Sequence, residues 1–183
     1  MDLLAFSHGQ IHSKLWLCET LEPFLKPTDK IAILGSWYNL IGFMLNIRKP
    51  NYYSSITGYD KDNVQEVANK IIESWNHLPN QTVININADV NDIDLSSYNV
   101  IINTSVEHMK SIKWFDNIKN DSLVCLQSLN LSSDMGVYDI VNENKTFEDF
   151  LEKFKLSKTV YTGTKDFDYP VLPYKRFMII GYK

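Results

Sequence analysis

The stretch "KIAILGSWYNLIGFML", residues 30–45, decides the fold. Its aliphatic, β-branched run over 31–34 stops at Gly35, and an apolar helical pattern follows over 38–47, the strand, turn and helix that open an α/β sheet. In such sheets ligands sit outside the carboxyl ends of the strands, close to this first turn. A dinucleotide-binding turn would repeat glycine at 37 and near 40, where this chain has Trp37 and Leu40 with Asn39 between. A dinucleotide is therefore disfavoured. A nucleoside bearing a sulfonium is not, because it needs a single close backbone approach and its cationic group is attracted to aromatic faces by roughly 0.5–2 kcal/mol. The competing reading makes Trp37 and Tyr38 ordinary core and rim residues of the helix.

Outward from the turn, strands and helices alternate. Strand-like runs fall at 31–34, 54–59, 82–87, 99–103 and 121–127, with helical patterns at 8–25, 38–47, 61–77, 105–118 and 146–154. The first helix is introduced by Ser7-His8-Gly9-Gln10, which fits a capping box, and Pro27 marks its end. Such alternation calls for right-handed crossovers and a mainly parallel sheet with helices on both faces. Runs at 157–163 and 174–182 are joined by a segment too short and proline-rich for a crossover helix, so they should pair antiparallel. No repeat or composition shift divides the chain, which reads as one domain over 1–183 with residues 1–27 as an N-terminal lid helix. The irregular stretch 128–145 is a long connection of the kind that is usually functional.

The ends of the next strands supply polar candidates. Asp60 stands 25 residues after Gly35, close to the roughly 20 expected for a carboxylate that accepts from ribose hydroxyls. It also suits the N-cap of a helix starting at Lys61. Asp89, after the third strand, can accept from an adenine amino group or be an ordinary loop aspartate.

Composition limits the partners. The 183 residues carry a formal net charge of -4, and Lys and Arg are dispersed, so the footprint of a nucleic-acid surface is missing and a small molecule is the expected substrate. Cys18 and Cys125 lie in apolar segments without metal-site or disulfide spacing, which predicts no metal and a reducing, cytoplasmic setting. No run approaches the roughly 18 apolar residues of a membrane helix, and the first residues lack a secretory pattern. Oligomeric state is not encoded in any pattern of this kind.

Together, "ILGSWY", the strand ending in "YD", the "NAD" after the third strand, "VIINTSVEHM" and the terminal hairpin resemble a Rossmann-like class I S-adenosylmethionine-dependent methyltransferase, and are similar in particular to small phage-encoded methyltransferase-like proteins. The resemblance implies a seven-stranded sheet of order 3-2-1-4-5-7-6 with the last strand antiparallel. It implies S-adenosylmethionine as cofactor, contacted by Gly35, Ser36, Trp37, Tyr38, Asp60, Lys61, Asp89, Val90 and Asn103. The chain departs from the family in keeping one glycine of the turn and in having Asn103-Thr104-Ser105 where amino-group methyltransferases carry an Asp/Asn-Pro-Pro-Tyr motif.

The chemistry is expected at the end of strand four. Methyl transfer is an in-line displacement at an already activated carbon, so the protein aligns the nucleophile and removes its proton. Asn103 and His108 are the candidates, imidazole being the side chain suited to proton removal near neutral pH. Glu107 is either a substrate contact or the third residue of a capping box over 104–107. Gln10, Ser13 and Lys14 on the first helix, with His8 and His12 beside them, are candidate acceptor contacts or a solvated helix start. Gln127 and Ser128 qualify by position at the end of strand five. A catalytically silent nucleotide-binding or S-adenosylmethionine-binding module is the alternative, and it predicts a strand-four end plugged by Met109 or Trp114.

Overall fold

The computed structural model describes residues 2–74, 83–135, 140–170 and 172–183. Seven strands, β1 (Lys30–Leu34), β2 (Ser55–Asp60), β3 (Val83–Asn87), β4 (Val100–Asn103), β5 (Leu123–Leu129), β6 (Lys158–Phe167) and β7 (Tyr174–Tyr182), form one sheet in the order β3-β2-β1-β4-β5-β7-β6. Pairing is parallel from β3 to β5, and β7 runs antiparallel to both β5 and β6. The expected topology is the observed one. The helices are α1 (His8–Leu21), α2 (Leu40–Arg48), α3 (Gln65–Glu73), α4 (Lys113–Asp116) and α5 (Phe147–Lys153).

The central strands are aliphatic on both faces because both faces are covered. One core layer joins Leu17 and Leu21 of α1 and Leu45 of α2 to Ile33, Ile102, Met178 and Ile180 of the sheet. The opposite layer joins Trp114 of α4 and Phe150 of α5 to Leu34, Ile101, Leu126 and Phe177. Trp114 is fully buried there, against Phe115 and Phe154, and takes no part in closing the end of strand four.

Several local expectations are corrected. The first helix stops at Leu21 and passes into a 3₁₀ turn, Glu22–Phe24, because Pro23 lacks the N–H that the next helical bond requires. No capping box forms at Ser7: its side chain makes no capping bond, and the Gln10 side-chain carbonyl accepts from the Lys14 ammonium instead. The helix expected over 61–77 is Gln65–Glu73, with residues 75–77 outside the described residues. Asp60 therefore caps no helix; Val64 precedes α3. The helix expected over 105–118 is a 3₁₀ turn, Val106–His108, followed by the four-residue α4. Glu107 is not a capping residue, since the turn is entered through the Ser105 N–H donating to Asn103 Oδ1 at 2.9 Å. A capping box does form at α5, where Thr146 and Asp149 exchange bonds of 3.1 and 3.0 Å.

Candidate functional site

At Gly35 the chain leaves β1 with φ +61°, in the left-handed region. A Cβ there would stand 2.9 Å from Met109 Cε and 3.0 Å from Ser105 Cβ, so backbone conformation and space both demand glycine. The Ser36 N–H then donates to the Tyr59 carbonyl at 2.9 Å, drawing the turn onto β2. Trp37 follows at φ +50° and Asn39 at φ +52°. The position that a dinucleotide fingerprint would give to its second glycine thus keeps a glycine-type backbone while carrying an indole. For a tryptophan this costs on the order of 1–3 kcal/mol.

What holds Trp37 there is Asp60. Its Oδ2 accepts the Trp37 N–H at 2.7 Å and its Oδ1 the Asp62 N–H at 3.0 Å. Burial pushes the Asp60 carboxyl up from the ordinary aspartate value, and these two N–H bonds pull it back. Each oxygen keeps a lone pair for a further donor. Asn39 locks the other side: its Oδ1 accepts the Gly42 N–H at 3.1 Å, and its amide donates to Asn85 Oδ1 at 2.8 Å. Asn85 in turn donates to Asn69 Oδ1 at 2.8 Å, so three amides tie α2 and α3 to β3. A Cβ at Gly42 or Gly58 would collide with Asn39, at 2.5 Å in each case.

The second ring has a different task. Tyr38 is buried, accepts the Asp2 N–H on its hydroxyl at 2.7 Å and stacks on Phe6 at 6.4 Å, which pins the N-terminal 3₁₀ turn Leu3–Phe6 over α2. Ser36 and Tyr38 accordingly face away from the cleft that opens beside the turn.

That cleft has a volume of about 690 Å³, within the range of small-ligand sites. Of the residues expected at a cofactor, Gly35, Trp37, Asp60, Lys61, Asp89 and Val90 line it, and so does His108. Asp89 accepts two bonds from Asn91, both 2.9 Å, which fixes the loop after β3 as an Asx turn. Ser105 and Met109, the second of them expected as a plug of the strand-four end by the silent-module reading, also line the cleft, together with Lys110 and Val141, which no sequence pattern singles out. Asn103 does not reach it. Fully buried, it accepts from Ser105 and donates to Met109 Sδ at 3.2 Å, so the Met109 side chain stands between Asn103 and the cleft.

The candidate acceptor contacts form a second, closed group on the α1 side of the sheet. Ser13, Lys14, Glu107 and Gln127 are all buried, and Gln10 is half-buried above them. The Gln127 amide donates to the Ser13 carbonyl at 3.0 Å. Burial pushes the Lys14 ammonium down to about 7, with Arg176 adding to the shift and Glu107 opposing it. Arg176, on β7, is not among the residues expected from sequence. Its strand face is shared with Met178 and Ile180, both core residues, and that parity is the signal that it points inward. Ser128 lies on the other face with Phe177 and accepts from Asn144 at 2.8 Å. His8 and His12, whose rings are 3.9 Å apart, sit at the exposed start of α1. Among the described residues no cluster of three His, Cys, Asp or Glu side chains could hold a metal ion, and no helix is long and apolar enough to cross a membrane.

No protein-family model matches the sequence, and no curated protein matches it at significant similarity. Solved structures do share its fold. The YcgJ protein of Bacillus subtilis superposes with a TM-score of 0.71 at 12% identity, over 94% of this chain and 98% of that one. The N-methyltransferase NodS of Bradyrhizobium japonicum gives 0.68 at 10% identity, over 95% and 97%. Magnesium protoporphyrin IX methyltransferase of Synechocystis PCC 6803, crystallised with S-adenosylhomocysteine, gives 0.67 at 9% identity, over 94% and 84%. The chain has the Rossmann-like fold of these structures, the last two of which are methyltransferases.

Proposed function

We propose that the chain is an S-adenosylmethionine-dependent methyltransferase acting on a small molecule. The observation that carries this reading is the Trp37–Asp60 lock: a carboxylate at the end of β2 holds a left-handed turn after β1, lines an open cleft, and keeps accepting capacity for a further donor. S-adenosylmethionine, when bound, supplies an activated methyl group. The residues present fit it. Gly35 permits the close approach of its amino-acid part once the flexible Met109 side chain swings off it, Asp60 accepts from the ribose hydroxyls, and Asp89 with Val90 borders the adenine. The ring of Trp37 offers a face to the sulfonium. His108, which lines the same cleft, takes the proton from the acceptor as it attacks. Residues 1–27 act as a lid, tied down through Tyr38. The two free buried cysteines, Cys18 and Cys125, suit a cytoplasmic setting; a phage origin rests on the sequence resemblance alone. The fold neighbours include enzymes whose own substrates are small molecules, such as magnesium protoporphyrin IX.

One observation favours the second reading, a silent nucleotide-binding module. Met109 packs against Gly35 and occupies the Asn103 amide, and the bound methionine part would need that space. Calorimetry with S-adenosylmethionine, S-adenosylhomocysteine, NAD and ATP, followed by a labelled-methyl acceptor screen, separates the two. The methyltransferase reading expects binding of the first two ligands only, with transfer to at least one acceptor. Preference for NAD or ATP overturns it, and cofactor binding without transfer to any acceptor assigns the silent module.

A further inference from the structure

Two cations are buried side by side in this fold with no carboxylate to pair them. Lys14 keeps 7% of its surface exposed and Arg176 keeps 3%, and among the described residues neither forms an ion pair within 4.0 Å. Lys14 has only the neutral Gln10 side-chain carbonyl as a hydrogen-bond partner. Arg176 has the neutral Tyr174 side chain as a hydrogen-bond partner, with its guanidinium carbon 6.0 Å from that ring's centroid, while its Nε has none. Buried charges are ordinarily paired, since their desolvation is otherwise uncompensated. The nearest anion is Glu107, 1% exposed, which acts on Lys14 through space without closing a salt bridge. Its Oε2 is itself unpartnered, and so is Gln127 Oε1.

These orphans belong to one compartment. Gln127 and Arg176 share a face of the β5–β7 ladder through their partners Met178 and Leu129, and the Gln127 amide reaches the Ser13 carbonyl next to Lys14. Glu107 leads to the cleft through its neighbour His108, whose Nε2 is 3.8 Å from Glu107 Oε1. The roof is the start of α1 with two tyrosines: a Cβ at Gly9 would stand 2.2 Å from the Tyr174 hydroxyl and 2.9 Å from that of Tyr169. Glycine in the first turn of a helix is otherwise unfavourable, and here it lets both hydroxyls settle on the helix.

We propose that Lys14 and Arg176 form an oxyanion subsite for the carboxylate of a small methyl acceptor, with Glu107 and Gln127 receiving an N–H or O–H donor of the same molecule. The inference rests on the methyltransferase reading for the word acceptor, but the binding chemistry stands on these residues alone. Charge selects the carboxylate. Lys14, Arg176 and Glu107 sum to one excess positive charge when ionised, which a monoanion neutralises and a phosphate dianion overshoots. The planar guanidinium fork also matches a carboxylate bidentately. The Lys14 ammonium is depressed first by burial and then by Arg176 on β7, while Glu107 after β4 and Cys18 on its own helix oppose the shift. An entering carboxylate restores its proton.

The experiment is calorimetry on the full chain, with and without S-adenosylhomocysteine, using glycine and glycolate as probes, acetate as the probe lacking the donor, glycinamide and ethanolamine as the probes lacking the acid, and inorganic phosphate. Glycine or glycolate is expected to bind, acetate more weakly, and the probes lacking the acid at least tenfold more weakly still. At pH 8, titrations in buffers of different ionisation enthalpy should show proton uptake that Lys14→Met abolishes. Arg176→Gln should lower carboxylate affinity at least tenfold, and Arg176→Lys, which keeps the charge and the fold, should lower it by a smaller factor. Equal binding of acids and amides, tighter binding of phosphate, or binding unchanged in Arg176→Lys and Lys14→Met would each overturn the subsite. S-adenosylhomocysteine is titrated separately: its failure to bind with carboxylate binding intact removes the methyltransferase reading and leaves the subsite.

Discussion

The two regions at the carboxyl edge of the sheet solve opposite problems. Around Gly35 the cleft is open, and its shape is held by backbone groups: left-handed residues at 35, 37 and 39, and a carboxylate that grips two N–H donors. Around Gln127 the polar side chains are buried, and Arg176 Nε, Glu107 Oε2 and Gln127 Oε1 lack partners. In the first region the backbone donors of the turn are satisfied and space is left over. The second leaves buried polar groups unsatisfied. A site whose donors are already paired is prepared for a ligand that adds to them, whereas buried unpaired charges await a ligand that completes them.

Where the two regions meet, at His108, the contrast is sharpened most. If His108 is the base, His108→Ala should cut turnover by about 10²–10⁴ while leaving S-adenosylhomocysteine affinity within a few-fold, as measured by steady-state kinetics and calorimetry. Turnover that falls less than tenfold assigns the rate to alignment of the reactants.

Asp60 tests whether the open region is built as described. Asp60→Asn keeps the side-chain outline but loses the charge and, since its amide nitrogen cannot accept, one of the two bonds from the Trp37 and Asp62 N–H groups. Cofactor affinity should drop by roughly 10- to 100-fold, the equivalent of about 1.5–3 kcal/mol for a charge-assisted bond. Unchanged affinity in a titration would confine Asp60 to holding the turn.

The same contrast explains why the sheet, but only part of the site, is legible in the amino-acid order. The strands are legible because β-branched runs such as "VIIN" and "KIAIL" have no alternative use once both faces are covered. The open region is legible too, since Gly35 and Asp60 are spaced by topology. The 105–118 segment misleads because its apolar spacing is helical, yet Met109 turns back onto Gly35 and Asn103 and breaks the helix at an extended residue. A tertiary contact made with residues of β4 and the first turn overrides local periodicity. The edge strand β3 is a related case: its alternation is plain, but Asn85 faces inward to the amide chain while Ile84 and Ile86 are exposed. Arg176 is readable from strand parity alone, but that its Nε is left without a partner shows only in three dimensions.

The closed region also makes a statement about stability. The Lys14 ammonium is lowered from 10.5 to about 7 by burial, so between those values the unfolded chain holds a proton that the folded chain lacks. Stability should therefore rise with pH from about 7 towards 10, and be flat in this contribution below about 7, where both states are protonated. Lys14→Met should remove that rise and stabilise the fold at neutral pH by at least about 1.4 kcal/mol, the equivalent of a tenfold change in proton affinity. Denaturant unfolding at pH 7 and pH 9.5 checks both statements, and equal slopes in the parent and the variant would mean that Lys14 keeps its proton by finding a partner.

The finest distinction concerns Trp37, whose backbone belongs to the glycine class and whose side chain does not. Trp37→Ala and Trp37→Gly remove the same indole, together with its stacking on Tyr38 at 5.4 Å, so both should be less stable than the parent. They differ in the left-handed backbone at φ +50°. At ordinary positions alanine is the more stable of such a pair, because glycine has more freedom to lose on folding. At a left-handed position the order inverts, since alanine keeps the Cβ penalty of about 1–2 kcal/mol that glycine escapes. Trp37→Gly should therefore unfold at higher denaturant than Trp37→Ala, by a margin of about 1 kcal/mol, the penalty less glycine's entropy cost. If alanine is the more stable, the turn relaxes to an ordinary conformation once the indole is gone, and the ring rather than the Asp60 bond is what holds the backbone left-handed. If the inversion is found, Asp60 suffices, and the indole is free to serve the ligand whose cleft it lines.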